Sequence, residues 1–179
     1  MSTRSVIALK TGDDKYKAIY CHSDGYLTFN GAMLLDHYSD KERLSNLLEL
    51  GDISCLGPKI EPDPTKPHSF DYDKRQDDVV VAYARDRGEV KRGPREMSLD
   101  QLKDWDWIEY IYILDENGIW KYISYPFEND KGETTLKDVK EDLEKEYKTY
   151  GIKRPKDFYG FWTDETLKKE KKRQSEGQM

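Results

Sequence analysis

The sequence has only two cysteines, Cys21 and Cys55, and they lie far apart along the chain. Two cysteines cannot form a network of disulfides, and they lack the Cys-x-x-Cys spacing of a zinc knuckle. No apolar segment approaches the ~20 residues that a membrane-spanning helix needs, and no signal-peptide-like run follows Met1. These absences predict a soluble, cytoplasmic protein with reduced thiols.

An excess of charge of either sign is also missing, because 30 Lys and Arg oppose 36 Asp and Glu for a net charge of −6. This mild negative charge argues against direct binding to nucleic acid or to an anionic membrane. The chain has no Gly-rich phosphate loop and no Gly-x-Ser-x-Gly elbow. Its 3 histidines show no recognised ligand spacing, so we expect neither a metal ion nor another cofactor.

Charged residues make up 37% of the 179 residues and hydrophobic residues only 36%, which predicts a small core inside an ionic surface. Large aromatic side chains offset this, since 13 Tyr and 4 Trp each bury much apolar area. The length fits one domain. We predict a single domain over residues 1–151 and a charged, partly helical C-terminal extension over 152–179.

Two hairpins are expected from β-prone runs that flank turn residues. Residues 6–9 and 16–20 are separated by turn formers, and Asn117-Gly118 separates 107–114 from 119–123. Asn-Gly predicts a type I′ turn, which needs positive φ at both positions. The unbroken apolar run 79–84 predicts an interior strand that is covered on both faces.

Helical spacing and capping residues predict several helices. They cover 30–38 with Asn30 as the cap, 39–51 with Ser39 and Glu42 as a capping box, 98–103, and 135–150 with Thr135 as the cap. Four prolines make 56–78 a long loop. The fold class is therefore α+β, with an antiparallel or mixed sheet of about five strands and helices packed on at least one face.

A first group of candidate catalytic residues, His22 and Asp24, lies at the end of a predicted strand. His22 can act as a general acid or base because the pKa of histidine lies near neutrality, and Asp24 can orient its ring. The alternative is structural, since Asp24-Gly25 is also the chemistry of a turn.

A second group follows the apolar run 79–84 and comprises Arg85, Asp86, Arg87 and Glu89. Two arginines at alternate positions can grip a phosphate or carboxylate while the acidic residues hold their guanidinium groups. The alternative is an exposed ionic turn of little energetic weight. An enzyme acting on a nucleotide or nucleic acid phosphate needs both groups in one pocket.

Several segments of the first two-thirds of the chain resemble, in order, a group of small uncharacterised proteins from bacteriophages and prophage regions. The relatives usually carry Trp at the position of Ser23. No activity is assigned to that group, so the resemblance transfers no catalytic residue. The matching segments are 1–8 (Met-Ser-Thr-Arg-Ser-Val-Ile-Ala), 20–26 (Tyr-Cys-His-Ser-Asp-Gly-Tyr), 31–38, 50–57, 68–70 and 82–89 (Ala-Tyr-Ala-Arg-Asp-Arg-Gly-Glu).

The resemblance implies a phage accessory protein that acts in the cytoplasm of an infected bacterium. Such a protein is expected to bind and to inhibit or redirect a host or anti-phage defence protein, through the acidic helix 135–150 or the proline-containing loop. Two alternatives stay open. One is the phosphate-directed enzyme described above, and the other is a homo-oligomeric structural protein with an apolar patch on the aromatic hairpin.

Overall fold

The computed structural model describes residues 2–177 and is organised around one mixed sheet of eight strands. The strands are β1 (Ser5–Gly12), β2 (Lys15–Cys21), β3 (Ile53–Cys55), β4 (Val81–Ala82), β5 (Arg95–Met97), β6 (Tyr110–Leu114), β7 (Trp120–Ser124) and β8 (Lys137–Asp138). Their order across the sheet is β4-β3-β2-β1-β6-β7-β8, and β5 pairs with the same edge of β2 as β3 does.

Within residues 2–177, six α-helices and two short helical turns accompany the sheet. The turns are a π-helical one at Leu27–Gly31 and a 3₁₀ one at Tyr72–Lys74. The helices are α1 (Ala32–His37), α2 (Lys41–Leu48), α3 (Tyr83–Arg87), α4 (Leu99–Lys103), α5 (Val139–Tyr150) and α6 (Asp164–Gly177). The α+β class is confirmed, but the sheet has more strands than the predicted five. It is mixed because β1 pairs with β6, and β2 with β3, in parallel.

Both predicted hairpins are present, as β1 with β2 and as β6 with β7. The prediction of a type I′ turn is wrong, since Gly118 has a φ of +75° whereas Asn117 has no positive φ. The interior strand predicted at 79–84 is also wrong. Only Val81 and Ala82 form a strand, at one edge of the sheet, and Tyr83 begins a helix.

Several helices begin at other residues than the sequence predicts. Asn30 caps nothing, because it lies inside a continuous helical stretch and its buried side chain bonds elsewhere in the core. Asp40 rather than Ser39 caps α2, by accepting a hydrogen bond from the third helical amide. Asp138 caps α5 in the same way, so that helix begins four residues after Thr135. Asp and Ser are both good caps, and the backbone path decides which one is used.

The two faces of the sheet are covered unequally. On the first face, β-strand side chains such as Tyr112 and Trp120 pack against α1, α2 and α5 in the larger core. On the second face, residues such as Val6 and Ile111 pack mainly against Leu102 of the five-residue helix α4. Because α4 has only five residues, side chains outside it, namely Ile108, Trp105 and Phe127, complete the cover of this face.

The C-terminal segment returns to the first face. Arg154 donates two hydrogen bonds of 2.7 Å to the Asp36 carboxylate on α1. The indole N–H of Trp162 donates to the Tyr147 hydroxyl on α5 at 2.7 Å. Leu167 on α6 packs against the larger core. Residues 152–177 are thus held against α1 and α5.

Candidate functional site

His22 lies directly after β2, where its amide continues the pairing by donating to the carbonyl of Ile53. Its Nδ1 atom is 2.8 Å from the hydroxyl of Tyr20, and the two share a hydrogen bond. Burial lowers the pKa of His22, and the nearby guanidinium of Arg4 lowers it further because it repels the imidazolium form. His22 is therefore a neutral imidazole near pH 7.

Asp24 is part of a turn, as its left-handed φ of +59° and the bond from the Asn30 amide to its carbonyl show. Burial raises the pKa of its carboxyl group. Within residues 2–177, no hydrogen bond or ion pair joins Asp24 to His22. The partner that orients the imidazole is Tyr20, which the sequence did not single out.

Arg85 and Asp86 point into the protein and hold the long loop 56–78. Arg85 donates to the carbonyls of Ile60 (2.6 Å) and Val80 (2.7 Å) and to the Asp86 carboxylate (2.9 Å). Asp86 also accepts from the amide of Ala82 at 2.7 Å. These contacts use the donors that would otherwise grip a phosphate.

Arg87 and Glu89 face away from that network. The Arg87 guanidinium lies 4.7 Å from the centre of the Phe70 ring and 3.6 Å from the Glu89 carboxylate, and both charged side chains are about half exposed. A depression of about 210 Å³ lies between Glu89 and Tyr20, and Glu89 is the only one of the six candidates among its lining residues. In the described part of the chain, no hydrogen bond joins His22 to Arg85 or Arg87, and the two groups share no pocket, so the geometry gives a common phosphate site no support.

A row of residues that sequence reasoning missed crosses the sheet beside His22. The pairing of Ser5 with Cys21 places Arg4 next to His22. The amide of Glu109 donates to the Arg4 carbonyl at 2.9 Å, and the amide of Tyr125 donates to the Glu109 carbonyl at 2.8 Å. Residues next to the ends of four neighbouring strands, β2, β1, β6 and β7, therefore lie side by side at one end of the sheet.

Four aromatic residues at this end form what we call the aromatic patch, namely Trp105, Trp107, Tyr125 and Phe127. Trp107 is 81% exposed and Tyr125 is 72% exposed. Tyr125 meets Phe127 edge to face at 5.8 Å, and Trp105 stacks on Tyr20 at 6.4 Å. Trp107 has a φ of +68°, a left-handed conformation that is unfavourable for a bulky residue.

Acidic side chains surround the aromatic patch. Asp104, Asp106, Glu109 and Glu128 are all exposed. Of these four, only Glu128 makes an ion pair with another described residue, at 2.8 Å from the ammonium group of Lys103. A broad depression of about 700 Å³ beside Phe127 includes Asp104 and Glu128 in its lining. The patch is thus an apolar surface with an anionic rim.

Among residues 2–177, no three His, Cys, Asp or Glu side chains are placed to hold a metal ion. No helix in the same range is long and apolar enough to cross a bilayer. No protein-family model, curated protein or solved structure matches the chain.

Proposed function

We propose that this chain is a bacteriophage-type accessory protein that binds a host or anti-phage defence protein through its aromatic patch, and so inhibits or redirects it. The phage context is supported by the sequence resemblance. The binding surface is supported by one observation above all, the 81% exposure of Trp107, which lies two residues before Glu109, the residue whose carbonyl accepts the amide of the exposed Tyr125. Trp and Tyr are enriched among the residues that dominate binding energy at protein interfaces.

The backbone at Trp107 adds to this argument. A left-handed conformation costs a non-glycine residue roughly 1–2 kcal/mol, and here the side chain gains little burial in return. Residues held in unfavourable backbone conformations cluster at functional sites. A partner that covered the indole ring would bury a large apolar area that the free protein leaves in water.

The acidic rim indicates the charge of the partner. Asp104, Asp106 and Glu109 make no ion pair with other residues in the described range, so a basic surface could approach them favourably. Two copies of this chain meeting patch to patch would instead bring like charges together. We therefore favour a basic partner protein over self-association.

Affinity capture from phage-sensitive bacteria tests this proposal. Trp107→Ala/Tyr125→Ala should lose the captured partner, because both anchors leave the interface. Tyr72→Ala is the matched control, since Tyr72 is an aromatic residue that is 87% exposed and belongs to the loop 56–78. Circular dichroism of each variant checks the fold. Retention of the partner by the double variant would contradict the proposal.

A homo-oligomeric structural protein is the second candidate, and the position of Tyr125 beside the β6–β7 hairpin favours it. Sedimentation velocity separates the two candidates. A basic partner predicts that the isolated protein is monomeric. A wild-type dimer that Trp107→Ala/Tyr125→Ala dissociates would support self-association instead.

A further inference from the structure

A groove of about 450 Å³ lies between α1 and α5, away from the aromatic patch. Its apolar lining comes from Leu35 on α1, Leu143 and Tyr147 on α5, and Ile152 just beyond α5. The Tyr147 hydroxyl accepts the indole N–H of Trp162, and Tyr147 is 4% exposed, so only an edge of its ring reaches the groove. The floor of the groove is therefore hydrophobic.

The rim of the groove is basic, in a chain whose net charge is −6. Lys140, Lys148 and Lys153 line it, and none of them forms an ion pair with any residue in the range 2–177. Glu144 is the only acidic side chain in the lining. Arg154 also lines the groove, but its charge is neutralised by the two bonds to Asp36. Three ammonium groups against one carboxylate leave a local excess of positive charge.

We infer that this groove binds a small amphiphilic anion, a carboxylate on a medium-length aliphatic body. The aliphatic part would cover the hydrophobic floor, and the carboxylate would meet the lysines of the rim. The volume falls within the range of roughly 300–1,000 Å³ that is typical of small-molecule sites, which are mostly apolar with a few polar groups.

The shape of the groove favours a small ligand over a peptide segment. After α5 the chain turns at Gly151, whose φ is +72°, and the next three residues enter the lining. These three residues form part of the lining near the C-terminal end of α5, where Arg154 is bonded to Asp36. A long extended chain would need that end to be open, whereas a short amphiphile does not.

Titration of the full chain with decanoate by calorimetry tests the inference, with 1-decanol as the uncharged probe of equal chain length. Lys140→Glu/Lys148→Glu should weaken decanoate binding about tenfold or more, because two attractive charges become repulsive. Lys145→Glu is the control, since Lys145 lies on the same helix but outside the lining and its side chain is 77% exposed. It should leave the affinity nearly unchanged.

Amide chemical shifts give a second readout that does not depend on the variants. Decanoate should shift the amides of Leu35, Leu143 and Ile152 in the wild-type protein. The inference is overturned if decanoate does not bind, if decanol binds as tightly, if the charge-reversed variant keeps its affinity, or if the shifts lie at the aromatic patch. Binding of an acidic peptide in place of decanoate would also overturn it.

Discussion

Replacing Asp86 with alanine should destabilise the protein strongly, although the sequence alone allows this residue to lie in an exposed ionic turn. Its carboxylate is 4% exposed, and it accepts hydrogen bonds from the Ala82 amide at 2.7 Å and from Arg85 at 2.9 Å. His68 lies 3.4 Å away, and its Nδ1 accepts the amide of Gln76, which leaves the proton on the nitrogen that faces Asp86. Asp86→Ala would leave the Ala82 amide and the Arg85 Nε–H without an acceptor and would remove the negative charge beside the Arg85 guanidinium, although Arg85 and His68 would keep the carbonyl of Val80.

The expected magnitude follows from the burial of this network. Removing one partner of a buried ion pair typically costs ~3–5 kcal/mol, so we expect Asp86→Ala to lower the free energy of unfolding by about that amount. Arg87→Ala is the comparison, because Arg87 is 55% exposed and makes only a surface pair with Glu89 and a ring contact. Such contacts are worth about 1 kcal/mol each or less.

Urea denaturation of both variants, followed by circular dichroism, measures these two losses. Limited trypsin digestion adds a local readout, since Asp86→Ala should speed cleavage after Lys59 and Lys74 in the loop that the network holds. The interpretation fails if Asp86→Ala costs less than about 1 kcal/mol, or if Arg87→Ala costs as much. Either result would mean that the loop is held by something other than the buried carboxylate.

Thiol labelling should modify only Cys55 in the native protein, because Cys21 is fully buried and burial raises the pKa of its thiol to about 12. Fast labelling of both cysteines would contradict this prediction. Gly88→Ala should lower the free energy of unfolding by roughly 1–2 kcal/mol, because the residue has a φ of +76°. Gly51→Ala should lower the stability measured in thermal melts clearly more, because its Cβ would also lie 2.6 Å from a backbone oxygen. The imidazole of His22 should titrate by NMR below 6.5. Since this folded-state pKa lies below the unfolded value, stability should decline as the pH falls below about 6.5, and a midpoint above 6.5 would refute the assignment.

Local signals in the sequence were enough to predict the hairpins and most helices. The capping box of α4 is present as residue types alone suggest, with Ser98 accepting from the amide of Gln101. The parallel pairing of β1 with β6 has no such signal, because it joins residues about a hundred positions apart. Strands of two or three residues, such as β4 and β5, carry too little periodicity to be recognised.

The apolar run 79–84 shows why hydrophobicity alone misplaced an element. Its first four residues are buried, with Val80 and Ala82 fully so, which is what the sequence indicated. Val80 and Ala82 belong to the larger core, and the segment has β3 on one side only, while the loop 56–78, which Arg85 holds through the carbonyl of Ile60, adjoins the other end of the run through the bridge between Lys59 and Val79. Residue types report that a segment is buried but not what covers it.

The same limit applied to the candidate site. The sequence indicated that His22 follows a strand, but the neighbours of His22 depend on which strands lie beside it, and these bring Arg4 and Tyr20 rather than Arg85. The helix 98–103 was predicted from its capping residues, but the 81% exposure of Trp107 beyond its end depends on the loop that follows and has no signal of its own in the sequence. Aromatic content therefore predicted a patch on the hairpin only as one alternative.

The C-terminal extension connects the fold to the proposed groove. The sequence predicts a domain boundary at residue 151, yet Ile152 and Lys153 supply part of the groove wall, and Arg154 fixes them to Asp36. Burial opposes ionisation of Asp36, but the hydrogen bonds and charge of Arg154 outweigh it and lower the pKa of that carboxyl. The pair thus stays ionised well below neutral pH. A ligand that bridged the floor on α5 and Lys153 would therefore bind to both segments at once, and the groove belongs to neither segment alone.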